Sequence, residues 1–458
     1  MDLVELYPFQ IRGAEFLAAH HQGFNADDMG LGKSGQGVCA SDAVGAKSIL
    51  VLCPASVRAN WEREFERFSP MDRPVGLIYT AKDPIVHPGV TVCSYDLAIP
   101  LYRELMKREW DVLILDEAHF LKERTARRTK AVYGHGKKLA GIASKARYVW
   151  RLSGTPAPNW ADELWTHLHS AGLTEDSYWD FTFRYCKGFD SNYGYRITGH
   201  KNVEELKALL AKFMIRRTKE EVMPELPPLV WEEVTIEPSA VDLEMFFYEH
   251  IRIGGPDPFL NELKVADQTL RQALAAVKHT RRPDQDRMDI LQGLEASQSA
   301  LRQYVGLAKL PGIIRLVQEE LESGALNKIV LFAHHQKVIE SARQLLHKFK
   351  PVTLYGATPP QTRQKNIEKF MNNPKCRVFI GNIRAAGVGI DGLQKVCHEV
   401  GFMEQDWTPG SNAQAAMRVH RNLQTEPVRV RVFSLHRSSD EIVQETLIRK
   451  ARELCKIF

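Results

Sequence analysis

Asp28-Met29-Gly30-Leu31-Gly32-Lys33-Ser34 combines residue types that suit the wrapping of a polyphosphate. Gly30 and Gly32 let backbone N–H groups curl around phosphate oxygens, Lys33 adds positive charge, and the Ser34 hydroxyl can ligate Mg²⁺. Met29 and Leu31 contribute backbone to the same loop. Further along, Asp116-Glu117-Ala118-His119 closes the apolar run that starts at Asp111. A carboxylate at the tip of a buried strand is a second metal ligand, and Glu117 beside it can orient an attacking water. Together the two segments predict hydrolysis of a nucleoside triphosphate, with Lys33, Asp116 and Glu117 catalytic and Ser34 and Asp116 on the metal.

Three further segments fit that chemistry. Gln10, in Tyr7-Pro-Phe-Gln10, offers an amide donor and acceptor side by side, suited to an adenine edge and so to ATP. Leu152-Ser-Gly-Thr-Pro156 places the hydroxyls of Ser153 and Thr155 beside a glycine turn, where they can sense the acidic box on one side and nucleic acid on the other. In Gln414-Ala-Ala-Met-Arg-Val-His-Arg421, Arg418 and Arg421 are three apart, and a helix would place both on one face. Two guanidinium groups there can reach across a cleft and stabilise charge on the γ-phosphate, a role worth about 10³–10⁵ in rate. Phe379 to Gly392 follows a strand with glycines at 387, 389 and 392. It reads as a tight loop near the same cleft, with Gly389 against the nucleotide.

These groups need scaffolds, and the hydrophobic pattern supplies them. Apolar runs at 49–53, 90–94, 112–115 and 148–152 are separated by helix-length stretches, which predicts a parallel, doubly wound α/β sheet over residues 1–225. Pro224, Pro227 and Pro228 read as an interdomain hinge. A short strand at 230–236 precedes a region from about 239 to 323 with Leu263, Leu270, Leu274 and Val277 at helical spacing, which predicts a helical insertion. Strands return at 328–333, 377–381 and 428–433, which predicts a second α/β lobe over 226–458.

The chain has 458 residues, 44% hydrophobic and 26% charged, the composition of an ordinary globular protein. No apolar stretch approaches the roughly 18 residues a spanning helix needs, so no membrane association is expected. The seven cysteines form no C-x-x-C pair, consistent with reduced thiols in a cytoplasmic compartment. A net charge of +5 says little, but its distribution says more. Lys122, Arg124, Arg127, Arg128 and Lys130 follow the acidic box, and Lys278, Arg281, Arg282 and Arg287 form a second cluster. The first run, with Ser153 and Thr155, is expected to track a nucleic-acid backbone.

In order, these blocks resemble the helicase-like ATPases of superfamily 2, in particular the Swi/Snf type. Phe213-Met-Ile-Arg-Arg-Thr-Lys-Glu-Glu-Val222 looks like the interlobe segment of that family. Phe183-Arg-Tyr-Cys186, Lys201 to Leu206 and Tyr355-Gly-Ala-Thr-Pro359 are similar to its fork-remodelling annealing-helicase branch. The resemblance implies two RecA-like lobes, ATP and Mg²⁺ as cofactors, and duplex, forked or branched DNA as partner. It further implies a DNA translocase acting in branch migration, fork regression or strand annealing. Ser34 stands where that family usually has Thr, and Asn422-Leu423-Gln424 follows Arg421 where it prefers Ile-Gly-Gln. No separate recognition module is identifiable, so the expectation is a monomeric motor suited to a compact bacterial or viral genome. The alternatives are a remodeller that displaces protein from DNA, for which the helical insertion is the candidate docking surface, and a strand-separating helicase.

Overall fold

The computed structural model describes residues 5–136, 138–191, 194–237, 295–386, 390–436 and 438–458. The chain divides into two compact units, one formed by residues 1–225 with 450–458 and the other by residues 226–449. The last nine residues therefore belong with the first unit, whereas the sequence reading gives them to the second lobe. The cause is local. Glu453 accepts the His200 backbone N–H at 2.8 Å, and Ile457 is buried in the first unit's core.

The first unit is built on a seven-stranded sheet in the order Met214–Ile215, Gln22–Asn25, Ala146–Leu152, Trp110–Asp116, Ser48–Cys53, Gly89–Ser94, Val75–Leu77, parallel throughout. Strands buried on both faces read as unbroken apolar runs, and Ser48–Cys53 is buried at every position. Leu113 and Leu115 join a core cluster with Leu50, Leu52 and Leu164. On the opposite face Ile114 and Leu152 pack beneath Gly37 of the helix Lys33–Ala43. The alternation explains how one strand anchors helices on both sides of the sheet. The edge strand Met214–Ile215 is too short to signal itself in sequence. It is held by Phe24, whose N–H donates to the Phe213 carbonyl at 2.7 Å and whose ring meets Phe213 edge-on at 6.0 Å.

The second unit has a six-stranded parallel sheet, in the order Leu229–Ile236, Val428–Leu435, Glu399–Phe402, Ile329–Ala333, Val378–Asn382, Val352–Leu354. Ile329, Leu331 and Ala333 enter one core cluster and Val330 and Phe332 another, so this sheet too is sandwiched. Of the expected helical insertion, the described part consists of the helices Glu295–Ala308 and Leu310–Ser323. The stripe Leu263 to Val277 and the basic cluster 278–287 lie outside the described residues. Among the described residues no helix is long and apolar enough to cross a membrane.

Among the described residues two antiparallel strand pairs depart from the parallel plan, a minimal one at Gly134–His135 with Leu139–Ala140, and Cys186–Ser191 with Gly194–His200. The fully buried Phe24 anchors the first unit's edge strand, so Phe24→Ala is expected to cost about 3–5 kcal/mol. Urea unfolding of the first unit would show the loss as a lower midpoint.

Candidate active site

The loop between Asn25 and Lys33 is shaped by two left-handed glycines, Gly30 at φ +87° and Gly32 at φ +73°. Side chains with a β-carbon adopt that region at a cost of roughly 1–2 kcal/mol. The helix Lys33–Ala43 starts immediately after Gly32, with Ser34 in its first turn. Free N–H groups and the positive end of the helix dipole therefore face the loop, an arrangement that receives phosphate. The Lys33 ammonium is parked on backbone, donating to the Asp27 carbonyl at 2.6 Å and the Asp28 carbonyl at 3.0 Å. Burial lowers its pKa, opposed by the charges of Glu117, Asp27, Asp28 and Asp116.

Asp116 ends its strand with both carboxylate oxygens engaged. One accepts the Trp61 indole N–H at 2.9 Å and the other the Glu117 N–H at 3.0 Å, while the Asp116 carbonyl accepts the Tyr95 hydroxyl at 2.8 Å. Burial, then the adjacent Glu117 carboxylate, raises the Asp116 carboxyl to about 7. Glu117 itself sits at φ 50°, ψ 52°, a left-handed conformation that is costly outside glycine and clusters at functional sites. It turns the chain so that His119 Nδ1 comes within 2.9 Å of Ser153 Oγ and 3.3 Å of a Glu117 carboxylate oxygen. Burial pushes the His119 ring down to about 3, so it is neutral and makes these contacts without charge.

The Leu152–Pro156 turn closes the constellation. A β-carbon on Gly154 would lie 2.6 Å from Met29 Cγ, 3.0 Å from Met29 N and 3.3 Å from Lys33 Nζ, so only glycine allows this turn against the phosphate loop. Ser153 is fully buried and accepts the Thr155 N–H at 3.2 Å. Expected as a DNA contact, it instead ties the turn to the acidic box, because its position at the end of a central strand leaves it no path to solvent. Gln10 is also committed within the protein. Its carbonyl oxygen accepts the Tyr7 N–H at 3.0 Å, and its amide donates to the Leu31 carbonyl at 3.2 Å, joining the helix Pro8–Ala19 to the loop. Gripping adenine requires those two bonds to exchange.

Beneath the loop lies a buried polar hub that the motif reading misses. Arg217 donates through Nε and Nη2 to the two carboxylate oxygens of the fully buried Asp27, at 2.9 and 2.5 Å, and through Nη1 to the Phe9 carbonyl. Gln36 donates to Asp27 at 3.2 Å and to the Leu31 carbonyl at 3.0 Å, and accepts from Asn25 at 2.7 Å. Arg216 reaches the Ala26 carbonyl at 2.9 Å and Asp28 at 3.3 Å. The available signal is an adjacent acidic pair before the glycines and an adjacent arginine pair after the edge strand. Their separation in sequence hides the match.

The basic run behind the acidic box is partly spoken for. Lys122 pairs with Glu163 at 2.6 Å, Arg124 lies over the Tyr178 ring at 4.6 Å, and Arg128 lies over Phe120 at 5.5 Å with Asp96 at 4.0 Å. Arg127 is exposed at the start of the helix Arg127–Tyr133, and Thr155 is half-buried. In the second unit the expected helix carrying both arginines stops early. Pro409–Ala416 ends before Arg418, and the chain continues in turns. Both arginines nevertheless reach one segment, Arg418 donating to the Ile390 carbonyl at 3.2 Å and Arg421 to the Asp391 carboxylate at 3.0 Å. Gly389 lies outside the described residues.

The raised Asp116 carboxyl has a pH signature. The folded chain keeps this proton between the ordinary value of 3.8 and about 7, a range in which the unfolded chain has lost it. The group's contribution to stability is thus full below 3.8 and falls as pH rises through about 7. Asp116→Asn removes the titration, so D116N should gain on the parent by up to about 1.4 kcal/mol per pH unit across that window. Urea midpoints of both proteins at several pH values, without nucleotide, measure the slope; a pH-independent gap contradicts the burial of this carboxyl.

Comparison with known proteins gives family matches over most of the chain. Residues 9–303 match the SNF2-related domain and residues 312–423 the helicase conserved C-terminal domain. The chain is 29% identical over 461 residues to the SWI/SNF-related matrix-associated actin-dependent regulator of chromatin subfamily A-like protein 1 of Drosophila melanogaster, covering 99% of this chain and 56% of the relative. It is 28% identical over 468 residues to the human DNA annealing helicase and endonuclease ZRANB3, covering 98% and 40%. The chain thus spans about half the length of the curated relatives it matches. Among solved structures, the Sulfolobus solfataricus SWI2/SNF2 ATPase core in complex with dsDNA is 24% identical, with 100% and 99% coverage and a TM-score of 0.44. With the SNF2-related match running through most of its length, the chain belongs to the SNF2-related family of helicase-type ATPases.

Proposed function

We propose that the chain hydrolyses ATP and uses the energy to move on duplex or branched DNA, remodelling replication or recombination intermediates by branch migration, fork regression or strand annealing. The observation that carries the reading is the meeting of three distant segments. Gly154 abuts Met29 and Lys33, Ser153 meets His119, and His119 meets Glu117 beside the buried Asp116. Phosphate loop, metal carboxylate and coupling turn form one continuous set of contacts. The relatives named as annealing helicases support DNA as the track.

In this reading the loop N–H groups between Gly30 and Ser34 hold the phosphates, and Lys33 exchanges the Asp27 and Asp28 carbonyls for phosphate oxygens. The residues present fit a divalent cation. Two adjacent carboxylates, one raised by burial, stand close to Lys33 at a helix start whose first turn carries the Ser34 hydroxyl, and Ser34 and Asp116 would hold the ion. Mg²⁺, when bound, neutralises charge on the phosphate oxygens. Glu117 orients the water and takes its proton, while neutral His119 relays its position to Ser153 and so to the turn that leads to Thr155. Gln10 reads the base. Arg418 and Arg421 act as transition-state arginines, Arg421 leaving Asp391 to do so.

ATP turnover measured without DNA and with forked, duplex or single-stranded DNA tests the reading. Forked or duplex DNA should raise turnover, and equal rates under all four conditions would overturn the motor assignment. Glu117→Gln should bind ATP normally and lose hydrolysis, and normal turnover in E117Q would remove Glu117 from its role. Arg421→Ala should slow hydrolysis by about 10³-fold or more with nucleotide still bound.

A further inference from the structure

The helix Tyr178–Tyr185 and the hairpin that follows it carry an aromatic surface that neither the nucleotide chemistry nor the core uses. The helix buries Phe181 and Tyr185 but leaves Trp179 45% and Phe183 47% exposed. These two are four residues apart, on one face, and their rings stack at 5.8 Å with 24° between planes. Tyr195, on the hairpin strand Gly194–His200, adds a third ring edge-on to both, 5.0 Å from Phe183 and 6.4 Å from Trp179. Gly188 on the paired strand makes this possible, since a β-carbon there would lie 2.8 Å from the Tyr195 ring. A soluble surface rarely exposes a Trp–Phe–Tyr cluster without something to cover it.

The charges around the rings indicate what that is. Tyr178 meets Trp179 at 5.2 Å and carries the Arg124 guanidinium on its face at 4.6 Å, so the aromatic surface begins at the basic run behind the acidic box. Lys187 is exposed on the hairpin strand Cys186–Ser191 and Lys201 is exposed just after the hairpin, while Arg196 takes the strand face opposite Tyr195. Asp180 and Asp190 are exposed on the same elements, while Asp176 and Glu205 are occupied by Arg184. A stacked ring pair with the Arg124 guanidinium at its Tyr178 end suits a nucleic-acid strand with splayed bases, since bases stack on the rings and a phosphate meets the cation. Paired bases inside a duplex present no free face to such rings.

Resting on the DNA-motor reading above, we propose that Trp179, Phe183 and Tyr195 form a stacking platform for unpaired bases of single-stranded DNA, engaged where a duplex branches. The platform selects junctions over plain duplex by holding the strand that leaves the helix.

The test compares the parent with Trp179→Ala/Phe183→Ala and with the ring-preserving Trp179→Phe/Phe183→Tyr. Binding of labelled oligo-dT of about 16 nucleotides is read by fluorescence anisotropy, and ATP turnover is measured with blunt duplex and with a fork bearing single-stranded arms. The alanine variant should bind oligo-dT roughly 10- to 100-fold more weakly and lose the fork's advantage over duplex. The ring-preserving variant should retain both, and turnover on blunt duplex should stay within about two-fold in all three. Parent-like oligo-dT binding by the alanine variant overturns the proposal and leaves the surface to a protein partner. Equal losses in the two variants, or a parallel fall in duplex-driven turnover, overturn it as well. A parent that responds to duplex but does not bind oligo-dT removes the platform and keeps the motor, whereas a parent that responds to no DNA removes the motor reading itself.

Discussion

The first unit depends on one buried ion pair, Arg217 on Asp27. Asp27 is fully enclosed, and breaking such a pair from one side costs about 3–5 kcal/mol because the remaining charge has nowhere to go. The pair does more than offset its own desolvation. Asp27 sits where the strand Gln22–Asn25 leaves the sheet for the phosphate loop, and Arg217 follows the edge strand Met214–Ile215. The Asp28 N–H donates to the Arg217 carbonyl at 3.0 Å, so backbone and side chains close the same junction. Gln36 brings the helix Lys33–Ala43 to it and the Phe9 carbonyl brings the helix Pro8–Ala19. The glycine loop is thereby fixed from below by four segments.

Above that foundation the site holds its charges in a resting arrangement. Lys33 rests on backbone carbonyls, Gln10 on Tyr7 and Leu31, Arg421 on Asp391, and the Asp116 carboxyl is raised by burial. Under the proposed function, each arrangement stands in for a contact that a nucleotide and its cation would provide. Binding then exchanges one satisfied set of bonds for another and strands no charge in a low-dielectric interior.

Much of this was legible in sequence where one segment carries its own signal. Buried parallel strands show as apolar runs, so those around 51, 92, 114 and 150 could be placed from pattern alone, as could the glycine loop and the acidic box. The short strands Val75–Leu77 and Met214–Ile215 could not, since three or two residues give no periodicity. The acidic-box side of Ser153 is legible in sequence, but its burial is not, because a hydroxyl near a glycine turn looks the same whether it faces water or His119. The arginine pair was placed on a helix because spacing of three suits one, but hydrogen bonds from Arg418 N–H to Ala415 and Val419 N–H to Ala416 tighten the chain into turns there. The Asp27–Arg217 hub was invisible because its partners are far apart in sequence and neither residue type is unusual alone. Gly389 and the basic cluster 278–287 fall outside the described residues.

The proposed motor couples nucleotide hydrolysis to movement along duplex DNA. Displacement of a triplex-forming third strand from a duplex measures that movement directly, because the third strand leaves only when a motor arrives. ATP-dependent displacement is expected from the parent chain and none from E117Q. ATP hydrolysis that proceeds on the same DNA while the third strand stays in place would contradict it.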